Sequence, residues 1–137
     1  MESGGKKITI TLKPNTSKFT FVDLFCGIGG FHVALKRLGG RCVLACDIDS
    51  NCRSIYHMNH HVLPESDIHN VLSIPPHDIL CGGIPCQPFS NGGKKKAFSD
   101  VRGLLFDHIV RILKDHHTPF AILENVKHIK KVSNGEV

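Results

Sequence analysis

The feature that most constrains this chain is an apolar run that ends abruptly in glycine. Phe19–Phe25 reads FTFVDLF, and Cys26-Gly27-Ile28-Gly29-Gly30 follows at once. After the glycines, FHVALKRLG places Phe31, Ala34, Leu35 and Leu38 at helical spacing until Gly39-Gly40 stops the pattern. The unit therefore reads as buried strand, glycine turn, helix. Glycine has no side chain and tolerates unusual dihedrals, so backbone at such a turn can approach a ligand closely. Gly27, Gly29 and Gly30 stand closer together than the G-x-G-x-x-G of dinucleotide binders. Taken alone, the turn could equally be a tight strand-to-helix connection.

The same alternation continues along the chain. CVLACDID (Cys42–Asp49) is a second apolar run closing in acids, and Ser50 is placed to cap a helix reaching about Met58. LPESDI leads to a predicted short strand end near Asp67-Ile68, and HDILCGG (His77–Gly83) reads as another strand. A polar loop is expected over Ile84–Asp100, then a helix over Arg102–His116 with Leu104, Leu105, Ile109, Ile112 and Leu113 as its stripe. PFAILEN (Pro119–Asn125) reads as the last strand. This order predicts an α/β fold with Rossmann-like winding, a parallel sheet with flanking helices. Residues 1–18 read as a flexible lead-in, with Ile8–Leu12 as a short edge strand, and 19–137 as one partial domain. The sheet is expected to be incomplete, because the last strand has no helix pattern after it.

Composition narrows the functional class. A net charge of +5 and a pI near 9.0 suit a polyanionic partner such as DNA without requiring one. No apolar run approaches the roughly 20 residues of a membrane helix, and MESGGKK is not a signal peptide. An intracellular protein is expected, cytoplasmic, or nuclear in a eukaryote. The 6 cysteines show no C-x-x-C pair, so no metal site is predicted. Cys26, Cys42, Cys46 and Cys81 sit in apolar runs and read as small buried hydrophobes of a reducing compartment.

Four positions carry candidate chemistry. In nucleotide-binding α/β domains an acid about 20 residues after the glycines holds the ribose hydroxyls, and Asp47 stands there with Asp49 beyond. Asp67, at the end of the expected third strand, could accept from an adenine amino group. Helix caps would explain each acid singly, but together with the glycines they favour a bound adenosine moiety. Cys86, in Pro85-Cys86-Gln87-Pro88, enters a polar loop at a strand's carboxyl end, where a thiolate could serve as nucleophile. Glu124, in Glu124-Asn125-Val126, brings a carboxylate to the same edge, where it could exchange a proton with a ring nitrogen.

DLFCGIGGFHVAL, GGIPCQPFS, SDVRGLLFD and ILENV, in this order, resemble the motifs of the cytosine-5 DNA methyltransferase family. The resemblance runs from Phe19 to about Ile129. It implies a Rossmann-like S-adenosylmethionine-dependent methyltransferase fold, of the kind found in restriction-modification systems. Phe25, Gly27, Gly29 and Gly30 would line the cofactor. Asp47 stands where the family usually has glutamate for the ribose, Ile48 where a larger side chain often covers the adenine, and Asp67 and Ile68 at the adenine edge. The family mechanism has the Cys86 thiolate add to cytosine C6 while Glu124 bonds N3 and the exocyclic amine. The activated C5 then takes the methyl group, and loss of the C5 proton releases the cysteine. The base must leave the stack for this. Gln87, Ser90 and the lysines Lys94, Lys95 and Lys96 fall in a segment resembling the family's mobile loop. Those lysines either contact phosphates or form a solvated charge run. Arg102 matches a family arginine expected to be structural.

Two family features do not occur in the sequence: the Q-x-R-x-R motif and a target-recognition domain. Double-stranded DNA is the expected partner, together with a second chain carrying the recognition part, or else the chain is a truncated form. Two alternatives remain, methylation of tRNA by the same fold and an inactive cofactor-binding module. The presence of Cys86 and Glu124 argues against the module.

Overall fold

The structure is a computed structural model that describes residues 16–84 and 95–125, with only the backbone described over 95–104. Strands β1 (Phe19–Leu24), β2 (Gly40–Cys46), β3 (Ile79–Gly83) and β4 (Phe120–Glu124) form one sheet in the order β2-β1-β3-β4. All three pairings are parallel. Helices α1 (Gly30–Arg37), α2 (Ser50–His60) and α3 (Lys95–His116) lie between them in sequence. The α/β expectation is met.

Alternation along β1 explains how the sheet is covered on both faces. Val22 and Leu24, with Leu80 of β3, join a cluster that contains Ile109 and Ile112 of α3. Phe21 and Cys81 point the other way and pack with Leu35 of α1. Phe21, Val22, Leu24 and Leu80 are fully buried, each contributing roughly 1.5–3 kcal/mol by leaving water.

The structure corrects five sequence expectations. In α1 the buried residues are His32 and Leu35, whereas Leu38 is exposed. His32 takes the core-facing place because a tyrosine hydroxyl satisfies its ring there. Asp49, not Ser50, caps α2: its carboxylate accepts from the Asn51 and Cys52 amides, and Ser50 is already helical. That helix runs past Met58 to His60. No strand ends at Asp67-Ile68. Glu65 makes a single bridge to Cys46, and Asp67 caps a 3-10 turn over Ile68–Asn70. Finally, α3 begins at Lys95 rather than Arg102, so the expected loop gives way to helix inside its own length. The lead-in 1–15, with its Ile8–Leu12 strand, lies outside the described residues. Among the described residues, no helix is long and apolar enough to cross a membrane.

Candidate active site

In a parallel sheet every carboxyl end lies on one edge, and register decides which residues meet there. Leu24 pairs with Cys46 on one side and Gly82 on the other, and Gly83 pairs with Glu124. Phe25, Asp47, Gly83 and Glu124 therefore stand along one edge. The winding direction reverses between β1 and β3, the position where open α/β sheets hold ligands.

The first cluster on this edge is the glycine turn with Asp47. Asp47 Oδ2 accepts from the Gly27 amide at 2.7 Å, and its Oδ1 from the Asp49 amide at 2.8 Å. Arg53 fixes the backbone below by donating to the carbonyls of Asp47 (2.9 Å) and Ile48 (2.8 Å). A carboxylate has about four lone-pair sites, so this half-exposed one can still take hydroxyl donors. Phe25 and Gly27 both adopt a left-handed φ of 53°. A side-chain carbon built on Gly27 would meet nothing within 4 Å, so open space stands over the turn. Ile48, next to Asp47 in the chain, has an exposed side chain. These groups fit an adenosine-bearing cofactor: an open glycine turn and an acid for hydroxyls.

Asp67 stands beside this cluster through Glu65, whose backbone bonds Ala45 and Asp47 at 2.8 and 3.0 Å. The His69 amide (3.0 Å) and imidazole (2.6 Å) bind the Asp67 carboxylate and hold it below the usual carboxyl range. The Ile68 side chain is buried in the main core.

The second cluster is at Glu124. Its carboxylate is exposed at the end of β4, and Oε2 lies 3.3 Å from where a side chain on Gly83 would begin. The lack of that side chain leaves room for the carboxylate. The Ile84 amide donates to the Glu124 carbonyl at 3.1 Å, so the last described residue after β3 stands beside Glu124. Cys86, Gln87, Ser90 and Lys94 lie outside the described residues. Lys95 and Lys96 open α3, but their side chains also fall outside the description.

Sequence reasoning missed a buried polar chain beneath the glycine turn. Asp23, on β1, is fully buried and accepts from the Tyr56 hydroxyl at 3.2 Å. Tyr56 also meets His32 Nδ1 at 2.7 Å, and the His32 ring stacks on His60 with centroids 4.0 Å apart. Burial raises Asp23 to about 7 and lowers His32 to about 4. The signal was present: Asp23 is the only charged residue in FTFVDLF. Burial also pushes up the thiols of Cys26, Cys42, Cys46 and Cys81, which suits packing and not nucleophilic chemistry.

A reversing parallel sheet with a glycine turn after one strand and an acid after its neighbour defines a Rossmann-like α/β fold of the nucleotide-binding kind. The family model for C-5 cytosine-specific DNA methylases matches residues 19–137. The chain belongs to that family, as its motifs imply. It is 44% identical over 117 residues to type II methyltransferase M.DsaV of Dactylococcopsis salina, covering 84% of this chain and 33% of that protein. Type II methyltransferase M.HhaI of Haemophilus parahaemolyticus is 45% identical, with 84% of this chain and 36% of that one covered. The chain thus spans about a third of the length of these curated relatives. Among solved structures, S. pombe Dnmt2 methyltransferase superposes with a TM-score of 0.62 at 26% identity, over 87% of this chain and 39% of that one. A putative DNA modification methyltransferase encoded within an E. coli prophage gives 0.65 at 25%, over 85% and 36%.

Proposed function

We propose that this chain is the cofactor-binding and nucleophile-bearing part of an intracellular DNA cytosine-5 methyltransferase. The observation that carries the reading is the shared edge, where the Gly27–Asp47 pair follows β1 and β2 and Glu124 ends β4, with β3 between them, in a family-matched sheet. Gly27, Gly29, Gly30, Asp47, Ile48 and Asp67 would hold S-adenosyl-L-methionine, with Phe25 beside the turn; Ile68, its side chain buried in the core, would contribute backbone alone. That cofactor supplies an electrophilic methyl group on a sulfonium.

The chain's own residues would prepare the cytosine. Cys86 follows Ile84 by two residues in the sequence, and the Ile84 amide bonds the Glu124 carbonyl. The Cys86 thiolate would form a bond to C6 of a flipped cytosine, and Glu124 would hold a proton at N3 so that the electron pair gathers at C5. Gln87, Ser90 and Lys94–Lys96 would close over the strand. Sequence recognition would come from a complementary polypeptide, whether continuous with this chain or separate, because its relatives are about three times as long.

The test has two arms. Calorimetry with S-adenosylhomocysteine should give one site per chain, and labelled methyl transfer to DNA in the presence of the complementary part should vanish in Cys86→Ala. A folded chain that binds no cofactor would overturn the reading. Transfer to tRNA but not to DNA would move it to the alternative substrate.

A further inference from the structure

Gly29 differs from Gly27. It is buried, its φ is 99°, and a side-chain carbon built on it would fall onto the His60 ring. That ring lies against the inner side of the turn, and His60 Nε2 is 3.2 Å from the Ile28 carbonyl. A carbonyl can only accept, so Nε2 carries the hydrogen and His60 is the donor. The ring is held in turn: it stacks on His32 with an interplanar angle of 17° and meets Tyr56 edge-on at 4.7 Å. His60 is thus the end of the chain Asp23–Tyr56–His32–His60, which runs from the middle of β1 to the glycine turn.

We propose that His60 is a positioning residue for the cofactor, its Nε2–H holding the Ile28 carbonyl and its ring filling the space behind Gly29. The turn is then clasped from both sides, by Asp47 at the Gly27 amide and by His60 at the Ile28 carbonyl. A clasp of this kind keeps the open face of the turn in one shape before the cofactor arrives, which lowers the ordering cost of binding. The inference rests on the cofactor reading above.

Two variants separate the donor from the ring. His60→Phe keeps a flat ring but loses the N–H, and His60→Gln restores an N–H at similar reach without the stack. Affinity for S-adenosylhomocysteine should fall about tenfold in His60→Phe, as expected for a lost hydrogen bond, and recover to within about threefold in His60→Gln. In the cofactor-free chain, amide exchange at Gly27 and Gly29 should quicken in His60→Phe and slow again in His60→Gln. Equal affinity and equal exchange in wild type and His60→Phe would overturn the proposal, as would a His60→Gln variant no better than His60→Phe. If the wild-type chain binds no cofactor, the functional reading fails while the exchange measurement still decides whether His60 holds the turn.

Discussion

The two sides of the sheet are built very differently. β1 is paired on both edges, and Phe21, Val22, Asp23 and Leu24 are buried, even the carboxylate. Among the described residues β4 is paired only to β3, and all 5 of its residues are exposed. The candidate cofactor acids stand beside the better-supported strand and the candidate catalytic glutamate stands on the less supported one. On the reading proposed above, cofactor holding would be the more self-contained half of the chemistry.

Core truncations should expose that contrast most strongly. Leu80→Ala removes a fully buried side chain between the sheet and α3 and should cost about 3–5 kcal/mol, enough to unfold much of a domain this size. Ile122→Ala on β4, where the side chain is partly in water already, should cost about 1 kcal/mol or less. Urea denaturation of both variants checks this. Similar costs would break the comparison.

The buried polar chain makes a prediction about pH. Asp23 is raised from 3.8 to about 7, chiefly by burial and also by Asp47, against hydrogen bonds from Tyr56 and Cys81. The folded state therefore holds a proton the unfolded chain has lost. This stabilising contribution is complete below pH 4 and disappears as pH rises through about 7. His32 is lowered from 6.5 to about 4, first by burial and then by His60 and Lys36. Its contribution is complete above pH 6.5 and disappears as pH falls through about 4. Between pH 4 and 6.5 the two slopes oppose each other. Asp23→Asn should leave a stability that rises by roughly 3 kcal/mol from pH 4 to 6.5, and His32→Gln one that falls by a similar amount from pH 4 to 7. Parallel profiles in the two variants would mean that these groups do not set the pH response.

A smaller effect is expected at the cofactor turn. Asp47→Ala frees two backbone amides, those of Gly27 and Asp49, and should weaken S-adenosylhomocysteine binding at least tenfold, about 1.4 kcal/mol. Asp47→Asn keeps one acceptor oxygen and should fall in between. Calorimetry gives the order directly, and an unaffected Asp47→Ala would remove this acid from the site.

Much of this was legible in the sequence because periodicity and glycine placement are local signals. The strands Phe19–Leu24, Ile79–Gly83 and Phe120–Glu124 follow from apolar runs, and the spacing of Asp47 from the glycines matches its hydrogen bond to the Gly27 amide. What stayed hidden depends on tertiary partners. His32 looks like a surface residue until Tyr56, 24 positions away, supplies its hydrogen bond. His60 looks like the frayed end of a histidine-rich helix until the turn is seen folded against it. Asp67 seemed to end a strand because a capping aspartate and a strand-end aspartate look alike in sequence. The loop expected over Ile84–Asp100 ran too far because KKKAFSD is polar, and polar residues can also begin a helix whose buried stripe lies further on.

The smallest predicted effect tests the exposed side most sharply. Phe120 opens β4 with 66% of its surface in water. Phe120→Ser should change stability by no more than about 0.5 kcal/mol, the range of surface substitutions, because little apolar area is withdrawn from solvent there. A loss above about 2 kcal/mol would mean that β4 is covered in solution, and the two sides of the sheet would no longer differ. If a complementary polypeptide docks along β4, the same substitution should weaken that association while leaving the isolated chain as stable as before. Denaturation of the chain alone, followed by titration with the complementary part, separates the two effects.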